Sequence, residues 1–226
     1  DLFKSIDGEI FVFHTGMEPA QLDRHIKVES MTSEEIRRLR LCNVDLTETF
    51  LPLNTFEEVL EHLKNKCILN LDRSIKILDD VMKIVNKHNM ADQVLLKSDP
   101  SDASLKMVET FAPKVDYMPI FMEEDVASEK IENMNINYIG AELVFKSESS
   151  SIAQDSYIDM MHKKGRILWG NSIVYSSRVP LAAGHNDDIS LTGDPEDGWG
   201  WLAKKGFDII QTDWTHHCVN YLRNRY

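Results

Sequence analysis

The sequence lacks a long hydrophobic stretch, is poor in cysteine and has no excess of positive charge. No apolar run approaches the ~20 residues that a transmembrane helix needs, and the start, DLFKSIDGEI, lacks the basic and apolar regions of a signal peptide. It also lacks an initiator Met, so we expect a trimmed chain whose compartment stays open: cytoplasmic, or secreted and periplasmic. The balance of 42% hydrophobic and 27% charged residues is typical of a soluble globular protein.

The charge and the cysteines argue against two further classes of protein, although a local basic patch would be compatible with the net charge. A formal net charge of -12 argues against a nucleic-acid partner, because neutralising phosphates requires a basic surface. Cys42, Cys67 and Cys218 lie far apart and form no CxxC pair, so we expect neither a zinc site nor a disulfide framework. Cys67 lies in an apolar run and is expected to be buried. The oligomeric state is not indicated.

Seven short apolar runs alternate with helical patterns along the chain. Their length and near-continuous apolarity are typical of buried parallel strands, each followed by a helix. The runs are 9–14, 67–72, 93–97, 117–121, 138–144, 166–171 and 207–213.

Two of the helices carry a capping box at their start. Thr55 is followed by Glu58 and predicts a helix over 56–64, and Thr32 is followed by Glu35 and predicts a helix to about Leu41. Apolar residues at helical spacing predict a further helix from Ile75 to His88. The other predicted helices are 151–164, 199–205 and 216–223.

The number of predicted strands is compatible with two α/β architectures, one of them only if a βα unit is missing. Seven strands suit a doubly wound sheet, whereas a TIM (β/α)₈-type barrel needs eight strands and typically about 250 residues. We predict a single barrel domain over residues 1–226 with its first βα unit missing from this chain. Residues 15–53 are interpreted as a small insertion after the first visible strand, and residues 175–198 as a long βα loop at the functional end.

Polar residues stand at the ends of the apolar runs. In a parallel barrel these ends meet at the face that carries the active site. The residues are His14, Asp72, Lys97, Glu142, Asn171 and Asp213. Each alone is a weak signal, because a strand-end aspartate caps the next helix about as often as it serves as a ligand. For Asp213 we favour the helix cap.

These segments resemble, in order, those of the glycerophosphodiester phosphodiesterase family. Residues 1–14 resemble its stretch of acidic metal ligand, TxDG-like turn, strand and catalytic histidine. The other similarities are 51–60 with "iPTLEEVL", 69–72 with "lnIEiK", 167–171 with "vwvWTvN", 183–188 with "GGHDD" and 206–214 with "GvdgIiTDrP". The resemblance spans essentially the whole chain.

The resemblance implies metal-dependent hydrolysis of glycerophosphodiesters to glycerol 3-phosphate and an alcohol. It matches Asp1 and Asp72 with ligands of a divalent metal, Ca²⁺ or Mg²⁺, and His14 with the general acid. In addition, we expect two of the strand-end residues and one residue within a strand to bind the substrate: Lys97 the phosphate, and Asn171 and Trp169 the glycerol or head group. Purely structural alternatives stay open for three of these residues: a strand-end structural histidine for His14, a solvated lysine for Lys97 and core filling for Trp169.

The sequence also departs from the family pattern. The His-Arg pair of an "HRG" segment and the Glu of an E-x-D pair have no counterpart, and Ser74 replaces the basic residue of "EiK". We therefore expect the chain as given to be weak or inactive, and a parent with one more βα unit to be the enzyme. Two alternatives stay open: a non-catalytic relative that binds a phosphodiester or a protein partner, and a phospholipase of the phosphatidylinositol or sphingomyelin type.

Overall fold

The structure is a computed structural model that describes residues 1–174 and 178–225. The chain forms two compact units, which are 1–98 with 102–116, and 99–101 with 117–226. We call them unit 1 and unit 2. Strands and helices alternate in both units, so the predicted α/β class is confirmed. The prediction of a single domain over the whole chain stays a prediction.

Unit 1 begins with a hairpin. Its elements are β1 (Leu2–Lys4), β2 (Ile10–Val12), α1 (Glu18–Gln21), α2 (Ser33–Ile36), β3 (Arg40–Cys42), β4 (Glu48–Pro52), α3 (Phe56–Leu63), β5 (Leu69–Leu71), α4 (Leu78–Lys87), β6 (Val94–Ser98) and α5 (Asp102–Phe111). Strands β1 and β2 pair antiparallel, with Leu2 opposite Val12. The prediction of a parallel strand for the first apolar run is therefore wrong. The turn that joins the two strands is too short for the crossover that a parallel pair requires.

Residues 15–53 pack against this hairpin. The capping box of Thr32 and Glu35 is formed as predicted, but α2 ends at Ile36 instead of continuing to about Leu41. The chain then enters β3, which pairs antiparallel with β4. One apolar cluster joins hairpin and segment; its buried members are Phe3, Phe11, Phe13, Leu22, Val28, Ile36, Leu39 and Leu53. That this segment is an insertion stays a prediction.

The rest of unit 1 follows the predicted alternation. Helix α3 has the capping box of Thr55 and Glu58, and α4 follows a 3₁₀ turn at Ile75–Ile77 within the predicted helix. Strands β5 and β6 are parallel, with Leu71 beside Leu96. All five residues of β6 are buried. Cys67, just before β5, is exposed, which contradicts its predicted burial, since β5 begins only at Leu69.

Unit 2 is built on four parallel strands. Its elements are β7 (Asp116–Met122), which starts one residue before the unit, α6 (Ser128–Glu132), β8 (Gly140–Val144), α7 (Asp155–Lys163), β9 (Ile167–Asn171), α8 (Asp187–Thr192), α9 (Trp199–Lys205), β10 (Ile209–Gln211) and α10 (Thr215–Arg225). The strands lie in the order β10-β9-β8-β7. A side chain at Gly140 would meet the backbone of Ile167, because β8 and β9 approach closely there.

The predicted helices of unit 2 are present. Helix α9 has the predicted bounds and ends at Gly206, whose left-handed φ of 102° forms its C-cap. Of the predicted loop 175–198, residues 175–177 lie outside the described part of the chain. The remainder contains α8, so this segment is more regular than predicted. Within residues 1–174 and 178–225, no helix has the length and apolarity to cross a bilayer.

Candidate functional site

Asp1 and His14 face each other across the hairpin of unit 1. The Nε2 atom of His14 lies 3.7 Å from Oδ2 of Asp1. The backbone fixes this arrangement, because the Phe13 N–H donates to the Asp1 carbonyl at 3.2 Å. The antiparallel hairpin that the sequence did not predict is thus what brings the predicted general acid to a predicted metal ligand.

Asp72 lies beside β1, on the side of that strand that faces away from β2. The Leu2 N–H donates to the Asp72 carbonyl at 3.3 Å, which places the residue after β5 beside the start of β1. One carboxylate oxygen, Oδ1, accepts the Arg73 N–H at 2.8 Å. The structure therefore brings all three predicted residues, Asp1, His14 and Asp72, to one part of unit 1.

Arg73 is a member of this group that the sequence analysis missed. Its Nε lies 4.0 Å from Oδ1 of Asp1, and Nη1 donates to the Thr15 carbonyl at 3.4 Å. Its backbone has a φ of 54°, in the left-handed region that non-glycine residues rarely adopt. The side chain is about half exposed (49%). We call Asp1, His14, Asp72 and Arg73 the His14 cluster.

The loop after β2 is held by a buried carboxylate. Glu18 is 4% exposed, and it accepts the N–H of Gly16 at 2.6 Å and that of Val28 at 3.4 Å.

Close by in the chain, Nδ1 of His14 is buried and has no hydrogen-bond partner within the described residues. A buried ring nitrogen without a partner is uncommon, so the histidine is not held as a structural residue usually is.

Lys97 ends β6 and is buried. Continuing the register of Leu71 with Leu96 by one residue places Lys97 beside Asp72 on the neighbouring strand. With 3% of its surface exposed, it is not the solvated lysine of the purely structural alternative. Its proposed contact with phosphate stays a prediction.

In unit 2, the predicted strand-end residues are hydrogen-bonded to one another. The Asn171 amide donates to Oε1 of Glu142 at 2.7 Å, and both side chains are buried. The indole N–H of Trp169 donates to Oε1 of Gln211 at 3.1 Å. Asn171 also lines a cavity of about 140 Å³ whose walls are both polar and apolar, among them Asn186 and Val179. Part of a ligand could enter this cavity beside Asn171.

Asp187 is a buried carboxylate whose contacts indicate a role as a scaffold. It is 2% exposed, and Oδ1 accepts the Ser172 hydroxyl at 2.6 Å and the Trp199 indole N–H at 2.7 Å. Oδ1 also accepts the Thr212 hydroxyl at 2.7 Å, and Oδ2 the Asp213 N–H at 3.0 Å. We call these five residues the Asp187 network. Its central carboxylate has its hydrogen-bonding capacity filled and positions the segments around it.

The fit of a divalent metal rests on the type of donors. Asp1 and Asp72 offer carboxylate oxygens, which hard cations such as Ca²⁺ and Mg²⁺ prefer. Among the described residues, however, the compact group with one ligand atom each within 4.8 Å is Glu57, Glu61 and His88; the His14 cluster does not meet that limit. The donor chemistry of the two carboxylates fits the metal.

Comparisons with known proteins agree on the fold. The chain is similar to a glycerophosphoryl diester phosphodiesterase structure from Parabacteroides distasonis, with a TM-score of 0.74, 16% identity, and 99% of this chain and 74% of that chain covered. A putative glycerophosphodiester phosphodiesterase from Galdieria sulphuraria matches with a TM-score of 0.70, 16% identity, and 99% and 84% covered. An Oleispira antarctica phosphodiesterase in complex with the product sn-glycerol-3-phosphate matches with 0.65, 14%, and 99% and 83%.

The sequence comparisons are sparser. The model of the family DUF4996, a domain of unknown function, matches residues 117–222, which is less than half of the chain. The search of curated proteins found no match. The resemblance to glycerophosphodiester phosphodiesterases is thus confirmed for the fold. The missing first unit, the metal and the roles of the site residues stay predictions.

Proposed function

We propose that this protein hydrolyses glycerophosphodiesters to glycerol 3-phosphate and an alcohol, with a divalent metal, Ca²⁺ or Mg²⁺, as cofactor. The observation that carries the proposal is the His14 cluster. A histidine and two aspartates from three separate segments meet there in a chain whose fold matches phosphodiesterase structures. Phosphodiester hydrolysis needs such a set, because the anionic substrate must be neutralised and a leaving alkoxide protonated.

His14 is the proposed proton donor to the leaving alcohol. Its Nε2 is directed to the Asp1 carboxylate, so the ring presents this nitrogen to the cluster. The neighbouring loop is fixed through Glu18. Asp1 and Asp72 are the proposed ligands. The metal would neutralise negative charge on the phosphate when bound. Lys97 is the proposed phosphate contact, and Trp169 and Asn171 the proposed contacts of the glycerol or head group.

The test is an assay of the full-length protein with glycerophosphocholine and glycerophosphoethanolamine. We expect release of sn-glycerol 3-phosphate, loss of that release in excess EDTA, and recovery when Ca²⁺ or Mg²⁺ is restored. Activity that chelation leaves unchanged would remove the metal from the proposal. The matched control is D159N, which changes an exposed aspartate on α7 of unit 2 and should hydrolyse as the wild type does.

One observation favours the non-catalytic alternative. Ser74 occupies the position where the resemblance places a basic residue, and it is 1% exposed, with its hydroxyl donating to the Leu71 carbonyl at 2.9 Å. If the full-length protein binds sn-glycerol 3-phosphate but hydrolyses no diester, the site belongs to a non-catalytic binding protein.

A further inference from the structure

The His14 cluster contains a cation that the resemblance does not provide. Ser74 cannot supply positive charge, and its hydroxyl is used to close the turn after β5. Lys97 is buried on β6. Arg73, in contrast, offers an accessible positive charge. Its guanidinium is half exposed, and it lies beside the Asp1 carboxylate that faces His14.

The backbone of Arg73 is held in the conformation that directs it there. Its N–H donates to Oδ1 of Asp72, and the following Ser74 hydroxyl returns to the Leu71 carbonyl, so the turn is bonded on both sides of the residue. A left-handed φ of 54° at a non-glycine residue is unfavourable and persists only when its surroundings enforce it. The two hydrogen bonds provide that enforcement.

The guanidinium has donors left for a ligand. An arginine carries five N–H donors in a planar fork. Within the described part of the chain, its contacts are a long hydrogen bond of 3.4 Å to Thr15 and an ion pair of 4.0 Å to Asp1. A planar fork of this kind matches two phosphate oxygens at once, which a lysine ammonium cannot do.

We propose that Arg73 binds the phosphate of the substrate and supplies the positive charge that Ser74 lacks. The inference rests on the proposed function and adds a second phosphate contact, beside Lys97, to that same site. The residue lies next to the proposed ligands Asp1 and Asp72, so a phosphate held at the cluster is within reach of the guanidinium. It acts in binding and leaves proton transfer to His14.

The experiment measures binding of sn-glycerol 3-phosphate to the full-length protein by calorimetry, with Ca²⁺ present. For R73Q we expect affinity to fall roughly 10- to 100-fold, the usual effect of removing one charge-assisted hydrogen-bonding group. R73K keeps the charge but loses the fork, so its affinity should lie between wild type and R73Q. R38Q is the matched control, because Arg38 is a surface arginine of the same unit that pairs with Glu34, and it should bind as wild type.

The outcomes separate this inference from the proposed function. If wild type neither binds sn-glycerol 3-phosphate nor hydrolyses a diester, the proposed function fails and takes the inference with it. If wild type binds and folded R73Q binds equally well, the inference alone fails. Calcium affinity, measured separately, should not fall in R73Q; a loss there would show that Arg73 acts by positioning Asp1 and would also overturn it. Should R73Q melt early, folded R73M, which also removes the charge, is measured in its place, and an affinity equal to that of wild type would overturn the inference.

Discussion

The His14 cluster of unit 1 and the Asp187 network of unit 2 both gather polar side chains behind strand ends, yet they are bonded in opposite ways. Asp187 is buried and accepts four hydrogen bonds, none longer than 3.0 Å. In the His14 cluster, the side-chain contacts of Asp1 are 3.7 and 4.0 Å, and a buried nitrogen of His14 has no partner among the described residues. A filled set of bonds indicates a scaffold, whereas an unfilled set leaves groups ready for a ligand.

The largest expected effect is on the stability of the Asp187 network. D187A would strand the Ser172 and Thr212 hydroxyls and the Trp199 indole N–H in a buried site, each of which costs free energy. We expect the free energy of unfolding to drop by roughly 4 kcal/mol or more, measured by urea denaturation. D188A at the exposed neighbour should change it little. A small loss in D187A would mean that filled bonding does not mark the scaffold.

The next effect falls on activity. H14A should lower kcat for a glycerophosphodiester by about 100-fold or more, because a general acid contributes that much, while stability changes by less than about 0.5 kcal/mol at this half-exposed site. Steady-state kinetics and a thermal melt check both values. H25A, at an exposed histidine of the same unit, is the control. Equal losses of stability in H14A and D187A would erase the contrast between the two regions.

A smaller effect is expected at Glu18, the buried residue that holds the loop behind His14. E18Q leaves one acceptor oxygen for the N–H groups of Gly16 and Val28, so we expect a loss of about 1–2 kcal/mol in the free energy of unfolding. E29Q, at an exposed glutamate in the same segment, should be neutral. An unchanged denaturation midpoint in E18Q would show that the loop is held by its apolar contacts.

The smallest effect concerns Asp7, an exposed counterpart of Asp187. The Ser5 hydroxyl, then the hydroxyl and N–H of Ser33, lower the pKa of Asp7 from its usual value near 4 to about 2. A depressed folded-state pKa stabilises above the unfolded pKa, and the contribution is lost as the pH falls through about 2. D7N should therefore remove a slight acid sensitivity between pH 4 and 2. NMR titration of S33A should show the pKa of Asp7 rising; no shift would discredit these bonds.

Much of the fold could be predicted because strand burial and helix caps are local signals. Six of the seven apolar runs form parallel strands, and the capping boxes at Thr32 and Thr55 are both present. The length of α2 was overestimated, because the pairing of Arg40–Cys42 with the next strand, Glu48–Pro52, overrides the helical pattern. The hairpin was missed for the same reason: three-residue strands carry little pattern of their own, and their partner decides their direction.

The candidate site was predictable in its residue types but not in its bonding. Asp1, His14 and Asp72 were found from their order along the chain, and they meet in unit 1. Arg73 was missed, because its place depends on a left-handed backbone that nothing in the sequence indicates. Asp187 lies in the segment 183–188 that resembles the family's GGHDD stretch, and only the four donors around it distinguish it from its exposed neighbour Asp188.

The aromatic cluster of the hairpin limits how this protein can be altered. The ring of Phe3 contacts the rings of Phe11 and Phe13, and the three share one apolar interior with Ile36 and Leu53 of the segment that follows. Excising residues 15–53, or exchanging them as a cassette with those of a relative, would uncover these rings and loosen the strand β2 that precedes His14. Variation in this segment is therefore tied to variation in the hairpin, and the two must be transplanted together.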